Sequence, residues 1–237
     1  MNPIDPKETA VTSWAQWFNR AASHYSDPRL KMAYITDVDS GQPVHEDVMR
    51  SIYFDIWNKL DAKKNDTILD VGCGVGYLTK HFFNKVKKIV GMDVSFAMVQ
   101  SAYSINPGYP FLVGKADAIP FSCNSFNRVV CYSVFQYLKD KDMAIVVLDE
   151  FIRIQNSPGC VFIGDVLEPF CINSGSKEKT NKWWPENLNH NLEKLTLPSD
   201  FFKGYCKKNK FKCEIIEQNL PDRNLEAPRY DVIIRSV

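Results

Sequence analysis

Apolar residues recur at helical spacing from Val11 to Tyr25, where Trp14, Trp17, Phe18, Ala21, Ala22 and Tyr25 share one face. A loop with Asp27-Pro28 and Gly41-Gln-Pro43 follows, then a second helix to about Leu60, marked by Val44, Val48, Ile52, Ile56 and Leu60. After a charged turn at 61–66 the period changes. Short, nearly all-apolar strands are predicted at 67–71, 88–92, 110–113, 127–132 and 159–164, with amphipathic helices at 77–86, 95–104 and 141–155 between them. That alternation describes a parallel sheet covered on both faces. About thirty polar residues interrupt it after Asp165. A helix near Ser199–Lys208, with Ser199 as N-cap and Asp200 in its first turn, resumes it, and strands at 211–217 and 229–236 close the chain.

The expected fold is therefore α/β, a seven-stranded, mostly parallel sheet with helices on both faces. At 237 residues one domain is expected, divided into an N-terminal helical cap (1–62), a ligand-binding core (63–165), an insertion or lid after strand five (166–198) and a C-terminal helix with two strands (199–237).

The first strand runs into Asp70-Val-Gly72-Cys-Gly74-Val-Gly76, and a helix starts at once. Strand, glycine turn and helix form the ligand-cradling corner of a Rossmann-like domain. The dinucleotide fingerprint needs glycine at position 77, where this chain has Tyr77, and Asp70 would sit badly beside a pyrophosphate. The pattern D-x-G-x-G-x-G instead resembles the first motif of class I S-adenosylmethionine-dependent methyltransferases. The second strand ends in Asp93, 23 residues after Asp70, with Val94, the helix-cap candidate Ser95 and Met98 behind it. Then come Asp117-Ala118-Ile-Pro120-Phe121 and Cys131-Tyr-Ser133-Val134-Phe-Gln136-Tyr137. This set is similar to the small-molecule methyltransferases related to the ubiquinone and menaquinone methylating enzymes, over roughly residues 66–165.

The resemblance implies S-adenosylmethionine as cofactor, with S-adenosylhomocysteine as product. It gives Asp70, Gly72, Gly74 and Gly76 to the methionine end, Asp93 to the ribose hydroxyls, and Val94 to the cofactor site. Asp117 and the Ala118 amide go to adenine, and Ser133 and Val134 pass beneath the methionine portion. Met98 is read as an adenine flank or as core. Gln136 and Tyr137 stand where that family often has an acid and a histidine, a departure that removes an acid–base pair from this point.

A net charge of +1 gives no electrostatic case for nucleic acid or an anionic membrane surface. Seven cysteines without CxxC or Cys/His ligand spacing read as buried thiols of a reducing compartment, and no metal is expected. The longest apolar run, Met143 to Leu148, is far short of a span, and the N-terminus carries Asp5 and Glu8 rather than an apolar leader. A cytoplasmic protein without membrane insertion is expected.

The acceptor site is expected beyond the carboxyl ends of the strands. Tyr25, Gln136, Tyr137, Trp183 and Trp184 are candidates to touch a small-molecule methyl acceptor, and Asp165 and His190 to orient it or take its proton. The alternatives are a cap or loop anchor for Asp165, a solvated histidine, and a tryptophan pair that pins the insertion. The reaction expected is methyl transfer to oxygen or nitrogen of a sugar, nucleotide-linked or secondary metabolite. An RNA or protein methyltransferase, or a non-catalytic cofactor-binding protein, are the other readings. An Asn/Asp-Pro-Pro-Tyr loop would favour the first of these, but Tyr132-Ser-Val-Phe stands in its place.

Overall fold

Seven strands pair into one sheet in the order β3-β2-β1-β4-β5-β7-β6. The computed structural model describes residues 13–24, 46–169, 192–218 and 228–236. The strands are β1 (Thr67–Val71), β2 (Lys88–Asp93), β3 (Phe111–Val113), β4 (Phe126–Tyr132), β5 (Gln155–Leu167), β6 (Phe211–Glu217) and β7 (Arg229–Ser236). β1 to β5 pair in parallel, and β7 enters antiparallel between β5 and β6. The helices among the described residues are α1 (Trp14–His24), α2 (Glu46–Leu60), α3 (Tyr77–Phe82), α4 (Phe96–Ile105), α5 (Lys141–Ile154) and α6 (Ser199–Asn209).

Strand residues alternate between two cores. Leu69, Val129, Val161 and Val232 face α5 and α6, burying Val147, Phe151 and Phe202. Ile68, Val130, Phe162 and Ile233 face the other layer, where α2 contributes Ile52 and Ile56 and α3 contributes Leu78 and Phe82. A parallel sheet buried on both faces needs this two-sided apolar supply. Of the two N-terminal helices, α2 is thus a layer helix, and only α1 lies outside both layers.

Three element boundaries differ from expectation. The first crossover helix stops at Phe82 and tightens into a 3-10 turn, Phe83–Lys85, with Phe82 inside the core and Phe83 at its edge, stacked on Tyr109 at 3.9 Å. β5 starts at Gln155 rather than 159, where Gln155 pairs with Phe126 of β4, and runs on to Leu167, since a bulge at Asp165 keeps it paired with β7 past Ile163. Ser199 is the first residue of α6 rather than its cap: Pro198, already extended, holds the N-cap position. Ser95 and Asp140 do cap α4 and α5, accepting from the amides of Met98 and Met143.

A buried charge ties α2 to β7. Asp231 accepts from Lys59 Nζ at 2.7 Å, the Asp165 amide at 2.9 Å and Gln218 Nε2 at 2.7 Å, and Lys59 also meets Asp55 at 2.6 Å. Burial pushes the Asp231 carboxyl up, against the pull of Lys59. Removing one partner of a buried pair strands the other charge, so Lys59→Met is expected to cost roughly 3 kcal/mol in urea unfolding. An unchanged midpoint would show the pair to be dispensable.

Candidate active site

The sheet order reverses between β1 and β4, and ligands of open α/β sheets sit at that switch, beyond the strands' carboxyl ends. The glycine corner stands there. Gly72 and Gly76 have φ of +75° and +80°, left-handed values that a side chain resists. A Cβ on Gly72 would lie 2.2 Å from Val134 Cγ2, and one on Gly76 2.5 Å from Phe111 Cζ. Backbone therefore packs directly against β4's exit and against β3. The Gly72 and Cys73 amides both reach the Met92 carbonyl, at 2.7 and 3.1 Å, locking the turn to β2.

Two acids flank this turn. Asp70 is buried, and its carboxylate accepts from Thr79 Oγ1 at 2.6 Å. Burial pushes its carboxyl up to about 7; neighbouring Asp93 adds to this and Thr79 opposes it. Tyr53 of α2 is also buried, close enough to Asp70, Tyr77 and Tyr132 to feel their charge, and its hydroxyl has no hydrogen-bond partner among the described residues. Asp93 spends one carboxylate oxygen on the Gly74 amide at 2.9 Å and the other on the Ser95 amide at 2.8 Å. The carboxylate retains acceptor capacity for an outside donor. Burial raises this carboxyl as well, held back by the amide bonds. Val94, beside it, is 39% exposed, an apolar surface at the lip.

Met98 takes the core position of its two readings: it is buried with Val75 of the glycine turn and Ala22 of α1. Asp117 is half-buried in the loop after β3. The Ala118 amide closes a turn onto the Lys115 carbonyl at 3.2 Å, so the donor that the resemblance gives to adenine is engaged within the chain. A Glu150–Arg153 pair on α5 clamps this loop. Glu150 accepts from the Ile119 amide at 2.7 Å, and Arg153 donates to the Ile119 and Phe121 carbonyls at 2.9 and 2.8 Å.

At the end of β4, Ser133 turns left-handed at φ +59° and its amide bonds the Gly164 carbonyl at 2.9 Å. Gln136 donates to Ser133 Oγ at 2.9 Å. The Tyr137 ring packs on Trp14 at 4.8 Å and on Phe18 at 5.0 Å, so it serves first to seat α1 rather than to present an open acceptor face. At its other side α1 is pinned by Asn19, whose Oδ1 accepts from Ser95 Oγ at 2.9 Å and the Ala97 amide at 3.1 Å. α1 therefore crosses the mouth from α4 to β4's exit, over the glycine turn.

Asp165 is fully buried at φ +63°, and its Oδ2 lies 3.2 Å from the buried Arg229 Nη1. Held against Arg229, Asp165 in this conformation ties β5 to β7. Tyr25, Trp183, Trp184 and His190 lie outside the described residues. No group of three or more possible metal ligands occurs among the described residues, and no helix there is long and apolar enough to cross a membrane.

Asn19, Thr79, Tyr53 and the Glu150–Arg153 pair were not singled out from sequence. Thr79 carried a faint signal, as the hydroxyl one turn into the helix after the glycines. The others had none, since Asn19, Glu150 and Arg153 act on segments tens of residues away and Tyr53 is placed by burial.

Residues 68–159 match the family model described as methyltransferase domain. The malonyl-[acyl-carrier protein] O-methyltransferase of Erwinia billingiae is 26% identical over 176 residues, covering 73% of this chain and 59% of that protein. The 18S rRNA (guanine-N(7))-methyltransferase of Schizosaccharomyces pombe is 28% identical over 125 residues, covering 50% and 46%. The chain thus spans about half the length of these curated relatives. A Haloferax volcanii putative methyltransferase, solved in complex with the Trm112 methyltransferase activator, superposes with a TM-score of 0.68 at 17% identity, over 96% of this chain and 99% of that one. In sheet order, glycine corner and matched domain the chain is similar to the class I S-adenosylmethionine-dependent methyltransferases.

The residues present fit that family's cofactor, which supplies an activated methyl group on a sulfonium. Asp93 has acceptor capacity left for ribose hydroxyls, and Val94 offers an apolar flank to a purine. Asp70 would meet the cationic end, and the Tyr53 hydroxyl, without a hydrogen-bond partner among the described residues, would suit a carboxylate.

Proposed function

We propose that the chain transfers the methyl group of S-adenosylmethionine to an oxygen or nitrogen of a small molecule, of the sugar, nucleotide-linked or secondary-metabolite kind. The observation that carries this reading is α1, seated by Asn19 on one side and by Tyr137 on the other, across the mouth of the sheet. A covered mouth suits an acceptor small enough to be enclosed. With a good leaving group already on the cofactor, the protein's contribution is alignment and exclusion of water. The Asp70, Asp93 and glycine frame holds one partner, and the aromatic underside of α1 closes off the other.

Calorimetry is expected to show micromolar binding of S-adenosylmethionine and S-adenosylhomocysteine; absence of heat with both sinks the reading. Incubation with methyl-labelled cofactor and a metabolite extract, followed by mass spectrometry, then identifies the acceptor. The likeness to a guanine-N7 rRNA methyltransferase supports RNA as the second reading, for which a salt-dependent gel shift is the test.

A further inference from the structure

Gln136 is 1% exposed in a largely apolar setting, following Phe135 of the core and bonded through its carbonyl to the Leu195 amide at 2.8 Å. Its side-chain nitrogen donates to Ser133 Oγ at 2.9 Å. The amide oxygen, at the other end, is buried without a hydrogen-bond partner among the described residues. Leucine or methionine would occupy similar volume without leaving an acceptor unmet, and buried acceptors are almost always satisfied. The position matters as much as the vacancy in its bonding. Ser133 closes β4 at the switch point, its amide bonded to Gly164 of β5, and Val134 lies against Gly72. The unmet oxygen thus belongs to the turn that separates the glycine corner from the exit of β5.

We propose that Gln136 sets acceptor specificity, its amide oxygen taking a hydrogen bond from an O–H or N–H on the reacting group of the acceptor. The acceptor class is then a hydroxyl or amine still carrying a proton as it docks. A carboxylate, thiolate or carbanion offers no donor and meets the negative end of the amide dipole. Ser133 is the positioning residue, since its hydroxyl oxygen holds the amide nitrogen. This inference rests on the proposed cofactor site, and the test separates the two.

The probes are S-adenosylhomocysteine and sinefungin, in which a carbon replaces the sulfur and carries an amine where the sulfonium methyl would be. Calorimetry at pH 8 compares wild type with Gln136→Leu, Gln136→Met and Gln136→Glu, each checked by thermal melting. Gln136→Leu is expected to weaken sinefungin at least tenfold, the size of one buried hydrogen bond at about 1.4 kcal/mol, while S-adenosylhomocysteine stays within twofold. Gln136→Met gives the same result if the leucine variant does not fold, and Gln136→Glu binds sinefungin at least as tightly as wild type. An unchanged ratio of the two affinities overturns the inference, because Gln136 is then structural. An equal loss for both ligands also overturns it, placing the amide at the methionine end instead. Wild-type protein that binds neither ligand overturns the cofactor site, and this inference with it.

Discussion

Asp93→Ala is expected to lower affinity for S-adenosylmethionine and S-adenosylhomocysteine by about a hundredfold or more. A carboxylate that receives two hydroxyls contributes two charge-assisted bonds, each worth about 1.5–3 kcal/mol, and tenfold in affinity is about 1.4 kcal/mol. The same carboxylate also receives the Gly74 and Ser95 amides, so its loss frees the glycine turn and the start of α4 together. Asp93→Asn separates these roles. Its amide keeps one carbonyl oxygen for a backbone donor but presents N–H groups where the second amide and one ribose hydroxyl need an acceptor. We expect it to melt nearer to wild type than the alanine variant while remaining severely impaired in binding. Calorimetry beside thermal melting checks this, and near wild-type binding by Asp93→Ala would remove the ribose role.

The second large effect comes from Asp70, whose carboxyl stands at about 7 in the folded protein against an ordinary 3.8. Burial is the main cause, and the nearby Asp93 carboxylate adds to it. A raised acid stabilises the fold most below pH 4, and that contribution is lost as pH rises through 7. The ligand-free protein is therefore expected to lose stability between pH 4 and 7, by up to about 1.4 kcal/mol per pH unit and roughly 4 kcal/mol in all. Asp70→Asn should flatten that slope in urea melts taken across the range. A cationic ligand end reverses the preference by favouring the ionised carboxylate. Cofactor affinity is then expected to rise about tenfold from pH 6 to 8, with a proton released at pH 6. Calorimetry in buffers of different ionisation enthalpy reads that proton. Equal apparent enthalpies would show that Asp70 does not titrate on binding.

Much of the sheet was legible because its signals are local. β1, β6 and β7 lie where alternation and apolar runs put them, and the capping serine of α4 lies one residue before its helix. The first acid-and-glycine turn reads from sequence for the same reason: left-handed backbone at Gly72 and Gly76 is a property of those positions. The length of β5 was not legible. Its last residues are held by β7, some sixty residues on, through a bulge with no signature of its own.

The acceptor side shows the sharper division. From sequence Asp165 reads equally as an acceptor-side acid or as a cap or loop anchor, and Arg229 from a distant strand holds it in place. Tyr137 and Gln136 are neighbours with different fates, one ring packed under α1 and one amide buried against Ser133. By itself the sequence determined the alternation of strands and helices, the glycine corner and the acids that end β1 and β2, because backbone conformation and hydrophobic period depend on near neighbours. Only the tertiary structure decided that α1 covers the mouth, that Asp165 is an anchor and that the Gln136 oxygen lacks a partner. Hydrogen bonds and burial at those residues are set by segments that sequence distance does not bring together, Asn19 reaching Ser95 across 76 residues.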